Sequence, residues 1–132
     1  MALQVILSLL VAIFFQITVV KADECVTVES FVSAFASEGI SLRGSTAAAT
    51  EKMAKVFNEN REANGQPKTS ISIFLLGYVS RGDGEPGAVV AIADKNGCII
   101  QRSVTVLGLR TFFDFITKAG VTGKDFIPID GA

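Results

Sequence analysis

The chain has 132 residues, of which 49% are apolar and 19% charged, and its net charge at pH 7 is −1. That balance is too apolar and too weakly charged for a disordered chain, and the length is that of one packed domain. Histidine is absent, which excludes a Ser-His-Asp or Cys-His nucleophile and any His-ligated zinc site, and no basic stripe with interleaved aromatics is present to recommend nucleic acid as a partner.

Residues 3–20, LQVILSLLVAIFFQITVV, are almost unbroken hydrocarbon and run into Lys21, Ala22 and Asp23. Val20 and Ala22 fall at the minus-three and minus-one positions of a small-residue cleavage site, so residues 1–22 read as a secretory signal peptide. The stretch from Met1 to Gln4 lacks Lys and Arg, leaving the terminal amine as its positive charge. A run of this length also just suffices to cross a bilayer as a helix, so an uncleaved anchor is the competing reading, and with it a membrane association. Cleavage removes Lys21 and leaves 11 basic residues against 13 acidic in a single small domain, 23–132.

Export goes with an oxidising compartment, periplasmic or extracellular. The two cysteines, Cys25 and Cys98, are then expected to form a disulfide. Closing so long a loop adds on the order of 4 kcal/mol in the chain-entropy treatment. Two unpaired thiols are the alternative.

After Cys25, Val28, Phe31, Val32 and Phe35 recur at helical spacing, with Thr27 as N-cap and Gly39 as the stop. Residues 40–43 alternate briefly and read as an edge strand ended by Gly44. Ser45 or Thr46 caps a second helix with Ala49, Met53, Val56 and Phe57 on its apolar face, and Glu51 and Lys55 at i,i+4 spacing on its wet one. Residues 64–67 turn the chain.

Residues 70–79, SISIFLLGYV, read as a central strand buried on both sides, with Ile71, Ile73 and Leu75 on one face and Phe74, Leu76 and Tyr78 on the other. Residues 80–86 lead into a hairpin at 87–106, where two β-branched runs flank Asp94, Lys95, Asn96 and Gly97. On its return strand Ile100, Val104 and Val106 share a face with Arg102. A third helix, 109–119, turns Leu109, Phe112, Phe113 and Ile116 inward and ends at Gly120. The tail 121–132 packs down around Pro128. The expected fold is α+β: a three- to four-stranded, mainly antiparallel sheet covered by about three helices, in the order α-β-α-β-β-β-α.

The chemistry on offer is sparse. With both cysteines bonded no thiolate remains, and no phosphate or dinucleotide loop occurs. No cofactor and no metal site is expected. Carboxylates at Asp83, Glu85, Asp94, Asp114, Asp125 and Asp130 are the remaining acid and base material for a hydrolase or a cation site. Asp83 and Glu85 share one loop, which offers too few oxygens for Ca²⁺ by itself.

Arg81, Gly82 and Asp83 match the cell-attachment tripeptide recognised by integrins, on a loop in an exported chain, and with Glu85 form a possible partner-binding loop. Arg102, on an apolar face, is either a guanidinium for an anionic ligand or an edge residue whose stem covers apolar surface.

The segment from Ala93 to Ile99 resembles the hairpin turns of PAS- and Cache-type sensing domains. More of the chain, residues 23–119, is similar to a loose group of small exported bacterial proteins to which no activity is assigned. The shared features are Cys25, Val26 and Thr27 before a helix, and Asn96, Gly97, Cys98, Ile99 and Ile100 closing a hairpin. That resemblance implies one disulfide and an exported location. The leading expectation is a non-enzymatic exported domain that binds a small ligand or a protein partner, with a carboxylate hydrolase or cation-binding protein and an adhesive Arg-Gly-Asp ligand as alternatives.

Overall fold

A computed structural model describes residues 25–80 and 82–129. The readings on residues 1–22, on Arg81 and on Asp130 lie outside them.

The first helix, α1 (Val28–Ser37), starts at Thr27, whose hydroxyl accepts the Ser30 N–H at 3.1 Å. Strand β1 (Arg43–Ser45) is followed by α2 (Ala47–Ala63), capped by Thr46 rather than Ser45. Then come β2 (Ile71–Ser80), β3 (Pro86–Asp94), β4 (Thr105–Gly108), α3 (Leu109–Ala119) and β5 (Phe126–Pro128). Gly120 closes α3 in the left-handed region at φ 77°, a conformation glycine adopts without penalty. No helix among the described residues is long and apolar enough to cross a membrane.

The strands form one five-stranded antiparallel sheet in the order β4-β3-β2-β1-β5. The fold is therefore α+β with β2 central and β2-β3-β4 as a meander, as expected. Two features differ from the sequence reading. The tail adds a fifth strand, and β1 lies inside the sheet between β2 and β5 rather than at its edge. Three-residue strands carry too little periodicity to reveal their neighbours.

Each sheet face has its own core. Phe31, Val32 and Phe35 of α1 pack with Leu42, Leu75, Val89, Ala91 and Ala93 on one side. Met53 of α2 and Phe112 and Ile116 of α3 pack with Phe74, Leu76, Ala88, Ile92 and Phe126 on the other. The helices thus sandwich the sheet, one against two. Ile71 joins the second core, not the Ile73 and Leu75 side predicted for it, because a register shift between Ile71 and Ile73 inserts a residue and flips the pleat. Phe113 is 42% exposed instead of inward, while Phe115 is half-buried against Phe74.

Cys25 and Cys98 are joined, with Cα atoms 5.1 Å apart. The junction is also stitched by backbone, since Ile99 N–H donates to Val26 C=O at 2.8 Å and Val28 N–H to Gly97 C=O at 3.3 Å. The segment before α1 is thereby held against the hairpin turn. That turn forms as its residues dictate: Asp94 Oδ1 accepts the N–H groups of Asn96 and Cys98 at 2.8 and 3.1 Å, and Gly97 takes φ 77°.

Candidate functional site

The return strand of the hairpin is not continuous, and the site is built on that break. Past Cys98 the chain makes one bridge, Ile99 to Ala93. It then leaves the ladder in a single 3-10 turn, Gln101–Ser103, before pairing resumes at Thr105 opposite Val90. Ser103 holds the turn in place. Its hydroxyl accepts the Ile92 N–H at 2.9 Å and donates to the Ile100 C=O at 2.6 Å, replacing a backbone partner that the ladder lacks there.

Arg102 therefore sits in a turn rather than on a strand face. It is separated from Val104 and Val106, which pack toward the α1 core, and it lines a cavity on the opposite side of the sheet.

The cavity, of about 500 Å³, lies between the sheet and the two helices that cover this face. Its floor is Phe74 of β2, Val90 and Ile92 of β3, and Thr105 and Leu107 of β4. On α2, Met53, Val56, Phe57 and Asn60 face it at helical spacing; on α3, Phe112, Phe115 and Lys118 do so. Phe126 of β5 completes the wall. The rings form linked pairs, with centroids 6.4 Å apart for Phe57 and Phe74, 6.2 Å for Phe74 and Phe115, and 5.9 Å for Phe112 and Phe126. Its size lies within the range of small-molecule sites, and its lining, apolar with a few polar groups, is of the kind those sites have.

Charge at the cavity is one-sided. Among the described residues, Arg102 and Lys118 line it and no Asp or Glu does. Both are exposed side chains. Arg61, the next cation along α2, is not a lining residue: its Nε donates to Pro67 C=O at 2.8 Å and its guanidinium lies 5.9 Å from the ring centre of Phe57, which is on the wall.

Among the described residues, the carboxylates singled out in the sequence form no cluster that could hold a metal ion. Asp83 and Glu85 are exposed in the β2–β3 turn, where Asp83 Oδ1 accepts the Glu85 N–H at 2.9 Å. Asp94 stands at the far end of β3, roughly 30 Å from Glu85 at about 3.3 Å per strand residue. Asp114 is exposed on α3, and Asp125 Oδ2 accepts the Thr122 N–H at 2.9 Å in a capping box. No group of three or more metal-ligating side chains occurs among the described residues. Of the Arg-Gly-Asp tripeptide, Gly82 and Asp83 are exposed in the β2–β3 turn, and Arg81 lies outside the described residues.

Sequence reasoning singled out Arg102 and missed Lys118, Asn60, Ser103 and Thr105. The available signal was the extension of each helix's apolar stripe by one polar residue, Phe57 to Asn60 on α2 and Phe115 to Lys118 on α3. No family model matches the chain, and no curated protein or solved structure matches it.

Proposed function

We propose that this chain is an exported, non-enzymatic domain that binds a small apolar ligand in the cavity between α2, α3 and the sheet. The observation that carries the reading is the cavity: about 500 Å³ walled by Phe57, Phe74, Phe112, Phe115 and Phe126. A core of this size ordinarily closes to near-crystalline density with few voids larger than a water molecule, so an opening lined by rings on four elements is a built feature. Export is supported by the apolar run and small-residue cleavage pattern of residues 1–22 and by the disulfide, which persists in an oxidising compartment.

The test is titration of the purified domain with a neutral solvatochromic dye such as Nile red, followed by fluorescence, for the wild type and for Val56→Trp. Val56 is half-buried on the cavity wall, so the larger ring fills the space. Saturable binding by the wild type and its loss in V56W, with the melting temperature held or raised, is the expected result. A wild type that leaves the dye dark, or a V56W variant that binds it equally well, overturns the reading. N-terminal sequencing of the exported chain is expected to start at Asp23; a start at Met1 refutes cleavage.

A further inference from the structure

We infer that the ligand is an anionic amphiphile, a single-chain or small aromatic carboxylic acid whose apolar body fills the cavity and whose head meets Arg102 and Lys118; this rests on the cavity being a ligand site. The two cations reach the same opening from unrelated elements, Arg102 from the turn that interrupts the hairpin and Lys118 from the last turn of α3. Neither forms an ion pair within the described residues, where the recorded pair is Lys68 with Glu62. Each is an exposed residue that also lines an apolar wall, which is how long basic side chains cover a greasy surface with their stems while keeping charge in water.

Among the described residues the same wall carries no carboxylate to compensate them, in a chain whose overall charge is slightly negative. A guanidinium offers a planar fork for a carboxylate and an ammonium adds a second, rotatable donor. Thr105 and Asn60 are neutral polar groups on the wall. The volume falls in the lower half of the range for small-molecule sites, which favours one chain or ring over a two-chain lipid.

The test uses three probes with the same ten-carbon tail, decanoate, decanol and decyltrimethylammonium, each below its micelle concentration and each displacing the neutral dye from the folded domain. Decanoate is expected to bind about tenfold or more tighter than decanol, the scale of one or more charge-assisted hydrogen bonds. The Arg102→Gln/Lys118→Gln double variant is expected to erase that preference by weakening decanoate to the level of decanol, with the melting temperature unchanged. Added salt should weaken decanoate and spare decanol.

Equal binding of decanoate and decanol, an unchanged preference in the double variant, or tightest binding of the cationic probe overturns the anionic inference and leaves the cavity reading standing. Failure of all three probes to displace a bound dye also overturns it, and failure of the dye itself to bind removes the cavity reading beneath it. Vesicles of anionic two-chain lipid form a further arm. Displacement of the dye by these, with decanoate inert, overturns the single-chain assignment.

Discussion

Ser103 and Ile92 are joined side chain to backbone, the Ser103 hydroxyl accepting the Ile92 N–H at 2.9 Å where a strand residue would otherwise face it. The position of Arg102 at the cavity follows from this bond. The chain can leave the ladder at residues 101–103 without stranding a β3 donor, and in leaving it carries Arg102 toward the α2 and α3 side. Ser103→Ala removes the hydroxyl and leaves a half-buried contact unmade. A loss of about 1–3 kcal/mol in chemical denaturation is expected, together with weaker decanoate binding as the Arg102 turn loosens.

The Cys25–Cys98 bridge closes a separation of 73 residues. Replacing both cysteines by alanine is expected to cost on the order of 4 kcal/mol, lowering the melting temperature by roughly 20 °C for a domain of this size. Hydrogen exchange should show the loss first at the amides of Val28 and Ile99, which donate to the Gly97 and Val26 carbonyls beside the bridge. A melting point indifferent to reductant would contradict this.

Gly77 makes room for the segment between α1 and β1. A Cβ there would lie 2.6 Å from Leu42 Cδ2 and 3.0 Å from Ile40 Cγ2. Leu42 is 1% exposed and has nowhere to retreat. Gly77→Ala is expected to destabilise by about 1–3 kcal/mol through overpacking, measurable as a lower urea midpoint with an unchanged slope.

Ser45 sits in a buried polar knot. Its hydroxyl accepts the Phe74 N–H at 2.9 Å and meets Thr50 Oγ1 at 2.6 Å, and Thr50 lies 2.8 Å from the Thr46 C=O. Ser45→Ala leaves the Phe74 donor buried without its partner and is expected to cost about 1–3 kcal/mol. Thr50→Val should be non-additive with it in a double-mutant cycle, because the two hydroxyls share one network.

The parts of the fold written in local chemistry were legible. Thr27, Asp94, Gly97 and Gly120 act within a few residues of themselves, through a cap, a turn and a left-handed glycine, and each does what its type predicts. The parts set by distant partners were not. β1 owes its interior place to Arg43 pairing with Leu76 on one side and Pro128 on the other, and no three-residue pattern announces that. Ile71 changed faces because of one inserted residue.

Arg102 was singled out as a charge among apolar neighbours and expected to share a face with Ile100, Val104 and Val106; Val104 and Val106 pack toward the α1 core, whereas Arg102 lines the cavity on the other side. The polar run of Gln101, Arg102 and Ser103 within a β-branched stretch was the unused sign of a break. The cavity itself is a space that Met53, Val56 and Phe115 leave unfilled, and pattern reading reports which residues turn inward without reporting how completely they meet.

The two outermost strands, described above as the ends of the sheet order, bear on how this protein behaves when crowded. β4 has four residues and is cut off from the rest of its run by the 3-10 turn; β5 has three and ends in Pro128, which has no N–H to offer. Neither presents the long, flat row of free donors and acceptors on which a second chain can add a strand. If β5 peels away, the strand it uncovers is β1, itself three residues long. A sheet with many β-branched residues is thus bordered on both sides by segments too short to template fibrils, so the domain is expected to stay dispersed at concentrations where a bare β2 or β3 edge would aggregate.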